Sequence, residues 1–204
     1  GIFGAAVSFA ALFGIVIDFG LPTYLVRAIA TDFDNEHYYL DNAISLKLFL
    51  AIFYVVAVYF TSMALGWENK LVMMCFLIAF ENVIKSYHAI LFSSFQAHEK
   101  MKYQAITHTI LNVLTLAFII IITFTDWSLV GIAFAYIFAN IIALIYEVLA
   151  LRKHIIKPKF SFSIVDYKFL LKAGLPFALT GLFYTIYYSI DLVMITQFST
   201  TYAS

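Results

Sequence analysis

Long apolar runs recur along the chain, separated by polar connections that are mostly short. An apolar stretch of about 20 residues crosses a hydrocarbon core of roughly 30 Å as a helix, because every backbone polar group must be satisfied internally there. Six runs meet that requirement: approximately Gly1 to Val26, Ala43 to Leu65, Leu71 to Phe95, Ala105 to Thr125, Leu129 to Leu151 and Ala173 to Phe198. Between them lie RAIATDFDNEHYYLDN, GWENK, QAHEKMKYQ, TDWS and RKHIIKPKFSFSIVDYKFLLK. The pattern predicts an all-α, polytopic transmembrane helix bundle with six spans. The fifth connection is the longest, and Pro158 stops a helix from running through it. It therefore divides the chain into five helices over 1–151, a basic linker over 152–172, and the first helix of a second bundle over 173–204.

Composition supports this reading. The chain is 64% hydrophobic with a mean hydropathy of +0.95 and 12% charged residues, where a soluble domain is about half apolar and about a quarter charged. Cys75 is the single cysteine and sits in an apolar run, which excludes an intrachain disulfide and a thiolate metal cluster. The chain opens on Gly1 inside an apolar run, without a cleavable signal, so further sequence is expected upstream.

Twelve basic and twelve acidic residues cancel, but the basic ones are placed unevenly. Ten of the twelve, Arg27, Lys47, Lys100, Lys102, Arg152, Lys153, Lys157, Lys159, Lys168 and Lys172, fall at the odd-numbered connections; Lys70 faces the other side and Lys85 lies within a span. Positive groups are retained on the cytoplasmic side, so the odd connections are expected there, with Gly1 at the outer face. Trp67 and Trp127 fall in the outer turns, at headgroup level.

The third span carries FENVIKSYHAILF, with ionisable groups in an otherwise oily helix. Steps of four and seven put Glu81, Lys85 and His88 on one stripe with Met74 and Phe92. Glu81 is roughly 15 Å in from Leu71, near the membrane midplane. An ionised residue at that depth costs roughly 2.5 to 3.5 kcal/mol, so the stripe is expected to face away from lipid. Two readings stand. Glu81 and Lys85, in the favourable Glu-first order, neutralise each other and lock the bundle; or the stripe lines a hydrated cavity and meets a charged substrate or coupling ion.

Other polar groups read more blandly. His108, Asn112 and Thr115 share a face of the fourth span and Tyr136 and Asn140 pair on the fifth, both suited to hydrogen bonding between helices. Glu147 is placed near the cytoplasmic end, snorkelling outward. On the last span Asp191 aligns with Tyr184, Tyr187 and Tyr188, either a sugar-contacting set or an interfacial tyrosine belt. Asp18 is expected buried near the cytoplasmic side, with Arg27 at the surface as a phosphate fork or a simple anchor. No nucleotide loop, helical zinc motif or nucleophile elbow occurs, and no metal or other cofactor is expected. The acidic pair in DFD, Asp32 and Asp34, is too short a match to argue sugar-transfer chemistry.

Three segments in order, IDFGLPTYLVRAIA, FSSFQAHEKMKYQAI and LLKAGLPFALTGLFYTIYYSIDLVMI, resemble the polysaccharide (oligosaccharide-lipid) flippases of the multidrug/oligosaccharidyl-lipid/polysaccharide exporter superfamily. The matching residues are Asp18, Gly20, Arg27, Gln96, Lys100, Gly174, Pro176 and Asp191. The resemblance implies a two-lobe exporter fold around a central cavity, these spans being its second to seventh, in the inner (plasma) membrane. It implies a transporter, not an enzyme, that moves a lipid-linked oligosaccharide to the outer leaflet by alternating access. Lys85, His88 and Arg27 are then the candidates for the phosphate, Glu81 for tuning Lys85, and Tyr184, Tyr188 and Asp191 for the sugar. Partners would be the lipid-linked oligosaccharide and membrane lipids, with proton or sodium open as coupling ion and no nucleic acid. The rivals are a cation-coupled multidrug exporter of the same superfamily and a polytopic membrane glycosyltransferase or polymerase.

Overall fold

The computed structural model describes residues 2–124 and 129–202, with side chains as far as Phe183 except those of Ile2, Ala5 and Leu129. Regular structure among these residues is wholly helical. In chain order the elements are α1 (Ile2–Leu12), α2 (Gly14–Asp18), α3 (Leu21–Thr31), a 3-10 turn (Phe33–Asn35), α4 (Glu36–Ala64), α5 (Asn69–Ala97), α6 (Met101–Thr123), α7 (Leu129–His154) and α8 (Ile164–Tyr202). Among the described residues, five stretches are long and apolar enough to cross a membrane: Gly14–Thr31, Phe33–Ala64, Asn69–Ala97, Met101–Thr123 and Val130–His154. The sixth predicted span lies within α8, mostly beyond the described side chains, and Trp127 lies outside the described residues.

α5 is the central post, packed against α1, α3, α4 and α7, while α6 leans on α7 and α8 on α3. Its position follows from its surface, since Met74, Cys75, Ile78, Ile90, Leu91 and Phe95 are buried on several sides. At one end the core is built with alanines, Ala6, Ala10, Ala51, Ala79 and Ala133, around Tyr54. Small residues let helix backbones approach where oil on the outside removes the usual hydrophobic drive. α6 by contrast shows Val113, Leu116, Ile120 and Ile121 outward, as a lipid-facing helix does.

At the other end, where the lysines and arginines gather, the helix termini are tied by polar contacts. His98 Nε2 meets Glu36 Oε2 at 2.8 Å, the Ser94 hydroxyl donates to the other oxygen of Glu36, and Lys100 Nζ donates to the His154 carbonyl at 2.8 Å. The Tyr38 hydroxyl donates to Asp166 at 2.7 Å. Hydrogen bonds from Ser163 and then Tyr38 hold the Asp166 carboxyl below its ordinary range.

The structure corrects the predicted first span. It is not one helix but three pieces: α1 and α2 part at Phe13, and Phe19 (φ 43) and Gly20 (φ 67) take left-handed backbone conformations that end α2 and start α3 anew. Gly20 is required there for a second reason: a Cβ on it would fall 2.4 Å from the Ala178 nitrogen and 2.5 Å from the Gly174 carbonyl oxygen. Pro22 suits the first turn of α3, where no N–H is needed. The first connection, expected as loop, is largely helical, since α3 runs to Thr31 and α4 begins at Glu36. Asp32 accepts from the Asn35 side chain at 2.7 Å, closing the turn between them.

α8 likewise starts earlier than its apolar run, so residues 155–163 alone separate it from α7. This segment has no helical structure and is pinned to α4. The Lys159 backbone donates to Asp41 Oδ1 and the Ser161 backbone to Ser45 Oγ, both at 2.8 Å.

Candidate functional site

The stripe on α5 divides between wall and interior. Glu81 is buried and Lys85 Nζ lies 2.6 Å from its Oε1, while the Lys85 side chain is 51% exposed. One turn on, His88 is buried between two groups of α7. Its Nδ1 is 2.8 Å from Glu147 Oε2 and its Nε2 is 3.2 Å from the Asn140 carbonyl oxygen. A carbonyl only accepts, so Nε2 carries a hydrogen. Nδ1 faces a carboxylate oxygen, so a second proton sits between them, and the pair is neutral overall on whichever atom it rests. Glu147 is fully buried. The expectation that it snorkels outward is therefore wrong: the imidazole provides the partner a buried carboxylate needs.

Lys85 and His88 line a cavity of about 860 Å³. α3 supplies one wall with Pro22, Thr23, Val26, Arg27 and Ala30; α6 supplies the facing one with Gln104, Thr107, His108 and Leu111. α5 forms the floor, from Lys85 through Phe92 to Gln96, with Asn140 behind and Phe177 of α8 at the side. Gln96 and Lys85 are about 16 Å apart along the helix, so the cavity reaches from the basic end to mid-helix depth. Gln96 donates to Gln104 across the α5–α6 corner at 3.1 Å. Arg27 is exposed and has no carboxylate within ion-pair distance among the described residues. The cavity lining contains no Asp or Glu among those residues. Two cations, two imidazoles and several neutral polar groups thus face one space.

The structure brings together Arg27, Lys85 and His88, keeps Glu81 behind Lys85, and leaves Tyr184, Tyr188 and Asp191 outside the described side chains. Gln104 and Thr107 escaped the sequence reading, although their spacing with His108 and Leu111 on two helical turns was a usable signal. His108 does not share the role of Asn112 and Thr115: its ring packs 5.2 Å from that of Phe92 at the cavity, while Asn112 is exposed and Thr115 buried. Asn140 bonds within its own helix, to the Tyr136 carbonyl at 2.8 Å.

Asp18 and Lys47 exchange their expected places. Lys47, counted with the basic groups of the odd-numbered connections, has a wholly buried side chain, and Asp18, expected buried, is 54% exposed. They pair at 3.0 Å across α2 and α4, which neutralises the buried ammonium next to the helix break.

A search of curated proteins finds no match. Among solved structures the chain is similar to an inward-facing multidrug resistance MATE family transporter of the MOP superfamily, with 22% identity and a TM-score of 0.53. The alignment covers 87% of this chain and 45% of that one, so this chain spans less than half of that transporter, and the likeness shows the helical scaffold. The family model described as polysaccharide biosynthesis protein matches residues 1–203. Matched over almost its full length and carrying several helices long and apolar enough to cross a membrane, this chain belongs to the polysaccharide biosynthesis protein family.

Proposed function

We propose that the protein translocates a lipid-linked oligosaccharide carried on a polyprenyl phosphate from the cytoplasmic to the outer leaflet by alternating access. The observation that carries this is the convergence of Arg27 and Lys85 on one cavity whose lining has no carboxylate among the described residues. Such a space suits an anion. The guanidinium can fork onto two phosphate oxygens. The Lys85 ammonium, parked on Glu81 at 2.6 Å, can exchange that partner for phosphate without crossing oil unpaired. Gln96, Gln104 and Thr107 offer amide and hydroxyl groups to sugar hydroxyls, and Tyr184, Tyr188 and Asp191 are further candidates along α8. The lipid tail stays in the bilayer, and rocking of two lobes would expose the cavity to each side in turn.

The cation-coupled multidrug reading draws on the likeness to a multidrug resistance transporter. A site for cationic drugs or coupling ions calls for carboxylates on the cavity wall. Here Glu81 is taken by Lys85 and Glu147 by His88.

The test is Lys85→Ala in the full-length protein. A charge-assisted hydrogen bond contributes about 2 kcal/mol, so affinity for the phosphate-bearing substrate should fall roughly thirtyfold. Surface-glycan complementation is expected to be lost while expression and membrane insertion persist. Undiminished complementation removes Lys85 from the mechanism.

A further inference from the structure

The segment between α7 and α8 lies apart from the cavity and shows an unusual surface. Phe160 and Phe162 are 64% and 66% exposed, with rings stacked 6.3 Å apart. The stripe continues on the first turns of α8 with Ile164, Val165 and Phe169, while Tyr167 and Leu170 turn inward to the core. Lys157, Lys159, Lys168 and Lys172 are interleaved with these apolar groups; all four are exposed, and none has a carboxylate within ion-pair distance among the described residues.

Its depth is set by α4. Ser161 is held at Ser45, just inside the apolar run that begins at Ala43, and the Phe162 ring is 6.4 Å from that of Phe49, a half-exposed residue one turn deeper. The aromatic pair therefore sits level with the start of a membrane-crossing stretch. At that depth a bilayer supplies both apolar chain ends for rings and negative charge for lysines. We propose that this segment is a lipid-binding surface: Phe160 and Phe162 enter the boundary between headgroups and acyl chains, and the four lysines bind anionic phospholipid headgroups.

The experiment uses full-length protein in bilayer nanodiscs, with Trp67, Trp127 and any other native tryptophan changed to Phe and Phe162→Trp as probe. Quenching of the introduced indole by lipids brominated near the headgroup end of the acyl chain should exceed quenching by lipids brominated at the tail end. Brominated phosphatidylglycerol should associate at least about fivefold more readily than brominated phosphatidylcholine, a preference abolished when all four lysines become Gln. If the Phe162→Trp protein does not fold, Phe160→Trp provides the same readout. Absence of quenching in a folded protein overturns the proposal, because another part of the protein or a second copy then covers the segment. Equal quenching by the two headgroups overturns its electrostatic half.

Discussion

A buried ionisable residue in this molecule is tolerated only through its partner. Glu147 and Lys47 have no exposed side-chain surface, and each has an ionisable partner, His88 and Asp18. Removing Asp18 leaves the Lys47 ammonium uncompensated in a low-dielectric interior, at a cost of about 3 to 5 kcal/mol, and removing Glu147 leaves the buried His88 imidazole short of a hydrogen bond, at about 1 to 3 kcal/mol. Glu147→Ala should therefore lower the thermal unfolding midpoint in detergent far more than Glu147→Gln, whose amide can still donate to His88 Nδ1. Equal losses would mean that cavity volume, not pairing, sets the cost. Of these residues, Glu81 and Lys85 were paired on sequence grounds because they are one turn apart on one helix. The bond between His88 and Glu147 spans 59 residues, and no local spacing announces it.

At the level of elements, the informative feature is the interrupted first helix. Hydropathy treats Gly1 to Val26 as one run because it sums over residues and is blind to backbone conformation. Gly20 matters through its missing side chain, which lets the start of α3 touch α8 at Gly174 and Ala178. Gly20→Ala combines left-handed strain with a backbone clash, and Gly174→Ala would set a Cβ 2.6 Å from the Phe19 carbonyl oxygen. Both substitutions should reduce the yield of folded protein on size-exclusion chromatography. Gly4→Ala, with no atom within 4 Å of the new Cβ, should be neutral or stabilising by up to about 1 kcal/mol. A uniform response of all three glycines would contradict this account of the break.

For the whole molecule, the link between α7 and α8 is a strap fastened to α4, which couples the first bundle to the helix that follows. Asp41→Ala with Ser45→Ala removes both acceptors that hold the strap. At about 1 kcal/mol per net hydrogen bond, the two together make local opening rise roughly thirtyfold. Tryptic cleavage after Lys159 in detergent should accelerate accordingly; an unchanged rate would show that the strap is held by its other contacts, the ring packing and the Tyr167 hydroxyl on the Ser161 carbonyl. What the sequence determined by itself was the helical class, the four apolar runs that form α4 to α7 and the gathering of basic residues at the odd-numbered connections, since these depend on residues contiguous in the chain. Tertiary structure decided the break at Phe19 and Gly20, the partners of Glu147 and Lys47, and the meeting of Arg27 with Lys85 across one cavity. Those outcomes depend on which faces of separate helices turn toward each other, and that is set by packing of the whole bundle.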